Sequence, residues 1–311
     1  MTNGFFADKN RPLVLGHRGV PLAHQENTLA GFRKAIELGV DGIELDVFKT
    51  RDDRIVVFHD EQTERLTGVA GSIAEMTWDE VSQLRIQRRI DRGDGTVVEY
   101  PSEERIPLLE EVLDECGDSL LINIEMKAYA PNWSRRHTGT EVARVIKASG
   151  KQDNVISTSF DFFMLRKLEK ALPGIHSGFA YDGGMLEGMG DWLDTLLNAL
   201  PELDTELSRR AGNQNALNLL NLLLEANAIG RFVHSTVVDA EHTLIDSDTV
   251  QKFHQRNMLV GAYTLFPLDT RYVDNPDVDH EQEAHRLAAL GVDWIETDDP
   301  ERLLALLALL T

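Results

Sequence analysis

The feature that most limits the fold of this chain is an alternation of short apolar runs with amphipathic segments. The apolar runs have the length and composition of buried parallel strands, and the segments after them carry apolar residues at helical spacing. Eight such strand-then-helix units favour one closed (β/α)8 barrel, the TIM barrel of the α/β class. A doubly wound sheet is the alternative, but no glycine-rich dinucleotide-binding motif follows any of these runs. The predicted strands are 13–15, 43–47, 120–127, 154–159, 175–181, 232–238, 259–266 and 293–297.

Two segments depart from this alternation, and we predict that they are insertions in a single domain spanning residues 1–311. Residues 54–58 extend the second strand as another apolar run, and residues 61–105 after them are polar and irregular, with one helix-like piece at 77–84. Residues 182–227, after the fifth strand, contain leucines at helical spacing. This helical insertion could cap the barrel mouth, mediate dimerisation or pack on the side of the barrel, and the sequence leaves all three open.

Charge and composition limit the partners and the compartment. A net charge of −21, from 31 basic and 52 acidic residues, argues against nucleic acid or an anionic membrane as the main partner. The N-terminal residues lack the pattern of a signal peptide, and no apolar run approaches the length of a membrane span. We therefore expect a soluble, cytoplasmic protein without stable membrane association. The single cysteine, Cys116, excludes an intramolecular disulfide and a cysteine-based zinc site, and is expected in the core. The oligomeric state is left open.

The ends of the first two strands carry polar side chains of the kind that perform chemistry. In a barrel of this type such groups lie at the C-terminal ends of the strands. The first strand ends at His17 and Arg18, and His59 follows the apolar run after the second strand. Glu44 and Asp46 are two residues apart in the second strand, so their side chains project from the same face. Two acids on one face of an apolar strand are costly unless a cation neutralises them.

The third strand repeats this pattern with Glu125 and Lys127. Together with the two acids of the second strand, Glu125 would supply a third oxygen ligand, a set that favours Mg²⁺ or Ca²⁺ over zinc. The positive charge of Arg18 and Lys127 beside such a metal suits a phosphate oxygen. Two histidines can divide the proton transfers, one acting as base and the other as acid.

Each of these residues also has a structural interpretation. A lone histidine at the end of a strand is often structural, Glu44 and Asp46 could form salt bridges with lysines, and Glu125 and Lys127 could form a mutual ion pair. The joint arrangement on three successive strands favours a functional site. The other histidines lack such neighbours and are expected to be surface or core residues: His24, His137, His176, His234, His242, His254, His280 and His285.

Short motifs occur along the chain in one order: HRG (17–19), ENT (26–28), GIELDV (42–47), FHD (58–60) and IEMK (124–127). The series continues with IPLLEEVL (106–113), STSFD (157–161) and GVDWIETDDP (291–300). In order and spacing this set resembles the glycerophosphodiester phosphodiesterase family. The resemblance covers nearly the whole chain outside residues 182–227.

The resemblance implies a metal-dependent (β/α)8 barrel that cleaves small-molecule glycerophosphodiesters to glycerol 3-phosphate and an alcohol. It implies that Glu44, Asp46 and Glu125 hold the divalent cation, Mg²⁺ or Ca²⁺, and that His17 and His59 are the acid/base pair. The mechanism typical of the family has a glycerol hydroxyl of the substrate attack phosphorus. The resulting cyclic phosphate is then opened by water, and which histidine acts first is left open.

The resemblance also indicates substrate-binding residues. Arg18 and Lys127 would bind phosphate. The tryptophan usual on the seventh strand of the family is replaced here by Tyr263, which would either line the glycerol pocket or pack in the core. Gln25 stands where the family usually has a proline before ENT, and Phe160 is expected in the core.

Two other functions are open at this stage. A phospholipase D-like activity on lysophospholipids or sphingomyelin would use the same kind of histidine and metal site in a barrel. The lack of a signal peptide and of disulfides argues against its secreted toxin version. A catalytically inactive barrel that serves as a scaffold is the other possibility, but the retention of all seven polar groups argues against it.

Overall fold

Strands and helices alternate over most of the part of the chain that the computed structural model describes, residues 3–93, 95–127, 137–186, 220, 234–268 and 278–309. The strands are β1 (Leu13–Gly16), β2 (Gly42–Lys49), β3 (Ile55–Val57), β4 (Arg85–Ile86), β5 (Arg89–Asp91), β6 (Val97–Glu99), β7 (Glu104–Arg105), β8 (Leu121–Met126), β9 (Val155–Ser159), β10 (His176–Tyr181), β11 (Val237–Glu241), β12 (Leu259–Leu265) and β13 (Trp294–Thr297). The helices are α1 (Leu29–Leu38), α2 (Glu64–Thr67), α3 (Trp78–Val81), α4 (Leu109–Cys116), α5 (Thr138–Ser149), α6 (Phe162–Ala171), α7 (Ser247–Gln255), α8 (His280–Leu290) and α9 (Pro300–Ala308).

Eight parallel strands form a closed barrel in the order β1, β2, β8, β9, β10, β11, β12 and β13, and β13 pairs with β1 to close it. The closing pair runs from Leu13 opposite Trp294 to Gly16 opposite Thr297. Because side chains alternate along each strand, every second residue points into the barrel and the others face the surrounding helices. The predicted (β/α)8 barrel is therefore confirmed, and the doubly wound alternative is excluded because that sheet would be open.

The predicted position of the sixth barrel strand is wrong by several residues. The sequence predicted a strand at 232–238, of which 232–233 lie outside the described residues; residues 234–236 precede the strand, and β11 spans Val237–Glu241. The reason is that two inward positions of this strand are the acids Asp239 and Glu241, which interrupt the apolar pattern on which the prediction depends.

The apolar run at 54–58 does not extend the second strand, as predicted, but reverses direction. β3 runs antiparallel to β2, with Val57 opposite Val47. The turn between them places Asp53 at a φ of 65°, a conformation that aspartate tolerates better than most residues. This hairpin returns the chain to the end of the barrel where β2 ends.

Residues 61–105, predicted to be irregular, form a small substructure with its own core. β4 pairs with β7 and β5 with β6, both antiparallel, and the predicted helix at 77–84 is the shorter α3. Buried side chains of this segment, among them Leu66, Val81 and Ile86, pack with residues of the β2–β3 hairpin. The segment is tied to the barrel by Gln25, whose Nε2 donates to the carbonyl oxygens of Gln87 (3.1 Å) and Ser102 (2.6 Å).

The end of the barrel opposite the strands' C-terminal ends is closed by apolar side chains. Trp294 points inward there and packs edge-to-face on Phe5, with ring centroids 5.8 Å apart. Gly261 on the adjacent strand makes room for the indole, because a Cβ at this position would lie 2.0 Å from the ring. The barrel is thus filled at this end, and its polar interior lies towards the other.

Three further predictions concern single features. The helical insertion predicted at 182–227 lies outside the described residues except for 182–186 and 220. Cys116 is fully buried, as predicted. Within the described ranges, no helix has the length and apolarity needed to cross a lipid bilayer.

Candidate active site

The first strand ends in a tight turn that carries His17 and Arg18. A glycine is required at Gly16 because a Cβ there would lie 2.1 Å from the carbonyl oxygen of Gly19. Arg18 has a left-handed φ of 57°, which costs a residue with a side chain about 1–2 kcal/mol. In this conformation the Arg18 N–H donates to Oε2 of Glu44 at 3.0 Å. The strained turn thereby joins the first strand to a carboxylate of the second.

Three carboxylates from two neighbouring strands meet inside the barrel. β2 and β8 pair in a register that places Asp46 opposite Glu125, and Glu44 shares the inward face of β2 with Asp46. Ligand oxygens of the three lie within 4.8 Å of one another. Oε1 of Glu44 is buried, and no hydrogen-bond donor among the described residues reaches it. A buried carboxylate oxygen of this kind fits a bound cation, and an all-oxygen set suits a hard divalent one.

Two basic side chains lie against these carboxylates. Lys127 Nζ is 2.7 Å from Oδ1 of Asp46 and 2.8 Å from Oε1 of Glu125, and Arg18 Nε is 3.3 Å from Oδ2 of Asp46. Burial opposes the charge of Lys127, but Asp46 and Glu125 hold its pKa above the ordinary value. Burial would raise the pKa of Asp46, yet Lys127 and then other cations nearby keep it far below the ordinary value. The salt bridges that a purely structural role would require are therefore present, between Lys127 and both Asp46 and Glu125. They do not involve Oε1 of Glu44, which can still bind another partner.

Both candidate catalytic histidines are oriented by a carboxylate. Nδ1 of His17 lies 2.6 Å from Oδ1 of Asp298, and Nδ1 of His59 lies 2.6 Å from Oδ1 of Asp60. A carboxylate at Nδ1 favours the tautomer protonated there, so Nε2 is the nitrogen that can exchange a proton with a substrate. Nε2 of His17 is 3.9 Å from Oε2 of Glu44, beside the carboxylate cluster.

His59 reaches the site because of the β2–β3 hairpin. The N–H of Phe58 donates to the carbonyl oxygen of Asp46 at 2.9 Å, which brings the following residue to the level of the carboxylates. Burial, and then the nearby charges of Arg18 and Lys127, lower the pKa of His59 to about 4. The imidazole is therefore neutral near pH 7 in this environment and can accept a proton.

Asn27 is a site residue that sequence analysis did not identify. Its Nδ2 donates to Oδ2 of Asp46 at 2.7 Å, and its Oδ1 accepts the Asp46 N–H at 3.1 Å. Its φ of 59° is left-handed, which asparagine adopts more readily than most residues. Thr28, the next residue, caps α1 by accepting the N–H of Gly31. The ENT motif contains both residues, but only the fold shows that Asn27 holds Asp46.

Glu26 and Arg65 are two further residues that the sequence did not identify as part of the site. Arg65 Nη1 and Nη2 donate to the two carboxylate oxygens of Glu26 at 2.9 and 2.7 Å. Burial would raise the pKa of Glu26, but Arg65 and then Arg18 lower it to about 2. Glu26 could have been found from the sequence, because it is the acidic residue of the ENT motif. No sequence pattern pointed to Arg65.

A second pair of acids, Asp239 on β11 and Glu296 on β13, lies inside the barrel. Asn123 Nδ2 bridges the two, donating to Oδ2 of Asp239 at 2.9 Å and to Oε1 of Glu296 at 2.8 Å. Burial, with the neighbouring Glu125 and Glu44, raises the pKa of Asp239 to about 8. Burial and then Asp239 raise the pKa of Glu296 well above its ordinary value. Because both pKa values are raised, the pair keeps at least one proton near neutral pH.

Replacing Glu296 with glutamine is expected to flatten the pH dependence of stability. Because folding raises the pKa of Glu296 well above its ordinary value, this carboxyl keeps its proton in the native state, so the free energy of unfolding falls as pH rises above the ordinary pKa of a glutamic acid. In Glu296→Gln the amide can donate to Asp239 and still accept from Asn123. Between pH 5 and pH 8 the wild type should therefore lose about 1–3 kcal/mol more than this variant. Urea unfolding in EDTA at several pH values measures the difference, with the exposed Glu301→Gln as control. Equal pH slopes in Glu296→Gln and the wild type would contradict a protonated Glu296 in the native state.

The candidate site opens into one cavity of about 370 Å³. Tyr263 lines it and donates its hydroxyl to the carbonyl oxygen of Tyr181 at 2.9 Å, so it lies at the cavity wall while its hydroxyl has a partner in the barrel. Phe160, expected in the core, also lines the cavity, with its ring 6.5 Å from that of Tyr263. His242 and His280, expected to be surface or core residues, also line this cavity, with ring centroids 5.7 Å apart.

Two sequence comparisons bear on the family. Residues 17–302 match the sequence profile of the glycerophosphoryl diester phosphodiesterase family. A glycerophosphodiester phosphodiesterase of Caldanaerobacter subterraneus subsp. tengcongensis is 30% identical over 299 residues, which cover 95% of this chain and 98% of that protein.

Solved structures agree with this fold. A protein of Silicibacter pomeroyi assigned to the glycerophosphoryl diester phosphodiesterases has a TM-score of 0.72 at 20% identity, covering 99% of this chain and 96% of its own. A phosphodiesterase of Oleispira antarctica, solved in complex with the product sn-glycerol-3-phosphate, has a TM-score of 0.63 at 20% identity, covering 96% and 97%. At 20% identity, these two comparisons support the shared barrel fold and nothing more specific.

Proposed function

Because this chain belongs to the glycerophosphoryl diester phosphodiesterase family, we propose that it hydrolyses glycerophosphodiesters to glycerol 3-phosphate and an alcohol. The observation that carries the proposal is the convergence around one cavity of three clustered carboxylates, two cations and two histidines that each pair with a carboxylate. Such a set has what the cleavage of a phosphodiester requires: charge to bind phosphate and two groups to move protons.

Glu44, Asp46 and Glu125 would hold a divalent cation, Mg²⁺ or Ca²⁺. Burial, and then repulsion from neighbouring carboxylates with Asp46 first among them, raises the pKa of Glu44 well above its ordinary value. A cation bound there would relieve this crowding and supply a partner for Oε1 of Glu44. When bound, it would act as a Lewis acid towards a phosphoryl oxygen.

Arg18 and Lys127 would bind the remaining phosphate charge. Both side chains line the cavity, and both are already close to carboxylates of the cluster, which fixes their positions before a substrate arrives. Groups held in place in this way lose little entropy when the substrate binds and need not reorganise as charge develops on the phosphoryl oxygens.

His17 and His59 would transfer the protons. In the first step one histidine takes the proton of the neighbouring glycerol hydroxyl as its oxygen bonds to phosphorus, and the other protonates the alcohol oxygen as its bond to phosphorus breaks. In the second step water opens the cyclic glycerol phosphate, and the two histidines exchange roles. Asp298 and Asp60 stabilise the imidazolium form in whichever histidine holds the additional proton.

The departing alcohol would lie along the part of the cavity formed by residues 61–105. Ile90, Val98 and Tyr100 supply apolar lining there, and the Tyr100 hydroxyl is engaged by the carbonyl oxygen of Pro21 at 2.8 Å. This segment is folded on its own core, so it can form a fixed wall. The choice among alcohols would then depend on it.

The proposal is tested by product identification. Purified protein is incubated, with Mg²⁺ or Ca²⁺, with glycerophosphocholine, glycerophosphoethanolamine or lysophosphatidylcholine at equal concentrations. We expect glycerol 3-phosphate and the free alcohol from the first two substrates, at rates at least about tenfold above any release of lysophosphatidic acid from the third.

Three results would contradict the proposal. Preferential release of lysophosphatidic acid would indicate a phospholipase D-like enzyme. Phosphocholine with glycerol would mean that the other ester bond is cleaved. No turnover of any of the three substrates would favour an inactive barrel.

A further inference from the structure

Arg65 lies in the segment 61–105 and connects the two halves of the candidate site. Its Nε and Nη2 donate to the carboxylate of Asp60, the residue that accepts from Nδ1 of His59. Its Nη1 and Nη2 donate to Glu26, whose Oε1 also accepts from Nη1 of Arg18 at 3.2 Å. One guanidinium thus fixes both the carboxylate that orients a histidine and the carboxylate that orients a phosphate-binding arginine.

The environment of Arg65 makes these contacts strong. Its side chain is 13% exposed, as is that of Glu26, and that of Asp60 is 16% exposed. A planar guanidinium can satisfy two carboxylates at once with paired hydrogen bonds, which the single ammonium of lysine cannot reproduce. Burial would raise the pKa of Asp60, but hydrogen bonds from His59 and Arg65 keep it far below the ordinary value. Without Arg65, two partly buried carboxylates would face each other with less compensation.

Arg65 is not the main anchor of the segment that carries it. In α2 the next residue, Leu66, is fully buried in the core of that segment, and the Thr67 hydroxyl donates to the carbonyl oxygen of Thr63 at 2.8 Å. Gln25 makes two further hydrogen bonds to the backbone of the segment. These contacts do not involve the Arg65 side chain, so they should hold the segment 61–105 against the barrel when Arg65 is replaced.

We propose that Arg65 is a positioning residue that holds His59 through Asp60 and Arg18 through Glu26 in the arrangement that turnover needs. The proposal deepens the proposed function and rests on it for its kinetic part. It assigns to the segment 61–105 a catalytic purpose besides forming the cavity wall.

The kinetic test compares Arg65→Gln, Arg65→Lys and a matched control in the same segment. Arg88→Gln serves as the control because Arg88 also hydrogen-bonds a carboxylate, Glu99, but is 49% exposed. We expect kcat for glycerophosphocholine to fall about a hundredfold in both Arg65 variants, because a small misplacement of reacting groups costs about that much. Arg88→Gln should keep the wild-type kcat. A further variant, Arg65→Ala, should regain part of its activity when free guanidinium is added, but not when methylammonium is added.

A spectroscopic test does not depend on turnover. Ring resonances of His59 in ¹⁵N-histidine-labelled protein should shift in Arg65→Gln. Those of His242, whose Nδ1 pairs with Glu283 at 2.8 Å outside this network, should not. Unchanged His59 resonances, or a kcat in Arg65→Gln within twofold of the wild type, would overturn the positioning role. If the wild type itself lacks turnover, the proposed function fails, and the resonances still decide whether Arg65 orients His59.

Discussion

Replacing His17 or His59 with alanine is expected to lower kcat by several orders of magnitude while the fold survives. Each imidazole is held at Nδ1 by a carboxylate, Asp298 or Asp60, so each is prepared to exchange a proton through Nε2. A single general acid or base typically contributes about 10²–10⁴ to the rate, and each of the two proposed steps uses both groups. Steady-state turnover of glycerophosphocholine measures the loss.

His254→Ala is the matched control for this prediction. His254 also pairs with a carboxylate, with Nε2 2.8 Å from Oδ2 of Asp293, but Asp293 precedes β13 at the opposite end of the barrel. Its replacement should leave kcat near the wild-type value. Near-wild-type turnover in His17→Ala or His59→Ala would remove that residue from the acid/base assignment.

Replacing Glu44 with glutamine is expected to remove the stabilisation that a divalent cation gives. A ligand that binds only the native state adds about 2.7 kcal/mol to the free energy of unfolding at one hundred times its Kd. An amide in place of Glu44 removes a charge from a ligand set of three. Thermal unfolding with EDTA, and then with Mg²⁺ or Ca²⁺, should therefore show a rise in Tm for the wild type and almost none for Glu44→Gln. The turnover of the variant should fall with it.

The same experiment has an internal check, because the metal-free variant should be at least as stable as the metal-free wild type. Glu44 is crowded by other buried carboxyls, so a neutral side chain of the same size relieves repulsion. Glu110→Gln, a partly exposed site paired with Arg54 on the outside, should keep the full metal response. A wild-type rise in Tm in Glu44→Gln would exclude Glu44 as a ligand.

The residues at strand ends could be predicted from the sequence because they obey a short-range rule. Glu44 and Asp46, like Glu125 and Lys127, are two apart in apolar strands, and alternation alone puts each pair on one face. The pairing of β2 with β8 then brings three of these residues together, with Asp46 opposite Glu125. The roles of these residues in metal binding and catalysis stay predictions until the variants above are measured.

The partners of these residues could not be predicted, because they come from distant positions and irregular segments. His17 and Asp298 are 281 residues apart and meet only when β13 closes the barrel on β1. Arg65 lies in a segment of two- and three-residue strands, which are too short to produce a readable period. Asn27 contributes through a left-handed backbone that no pattern of side chains reveals. In each case the contact depends on the three-dimensional fold and leaves no pattern in the sequence.

Position errors in the strands have a related cause. β11 was predicted at residue numbers that are too low because two of its inward residues, Asp239 and Glu241, are acids. A strand that faces a polar barrel interior lacks the apolar pattern used to find it. The same polarity marks the end of the barrel where the candidate site lies, since Asp239 and Glu241 both line the cavity.

Metal-dependent phosphodiester hydrolysis is tested most directly by the release of glycerol 3-phosphate from glycerophosphocholine by purified protein, first in excess EDTA and then after Mg²⁺ or Ca²⁺ is restored. We expect no release in EDTA and turnover that returns with the cation, because the carboxylates of Glu44, Asp46 and Glu125 are arranged to bind one. Release that continues unchanged in EDTA, or no release with either metal, would contradict this expectation.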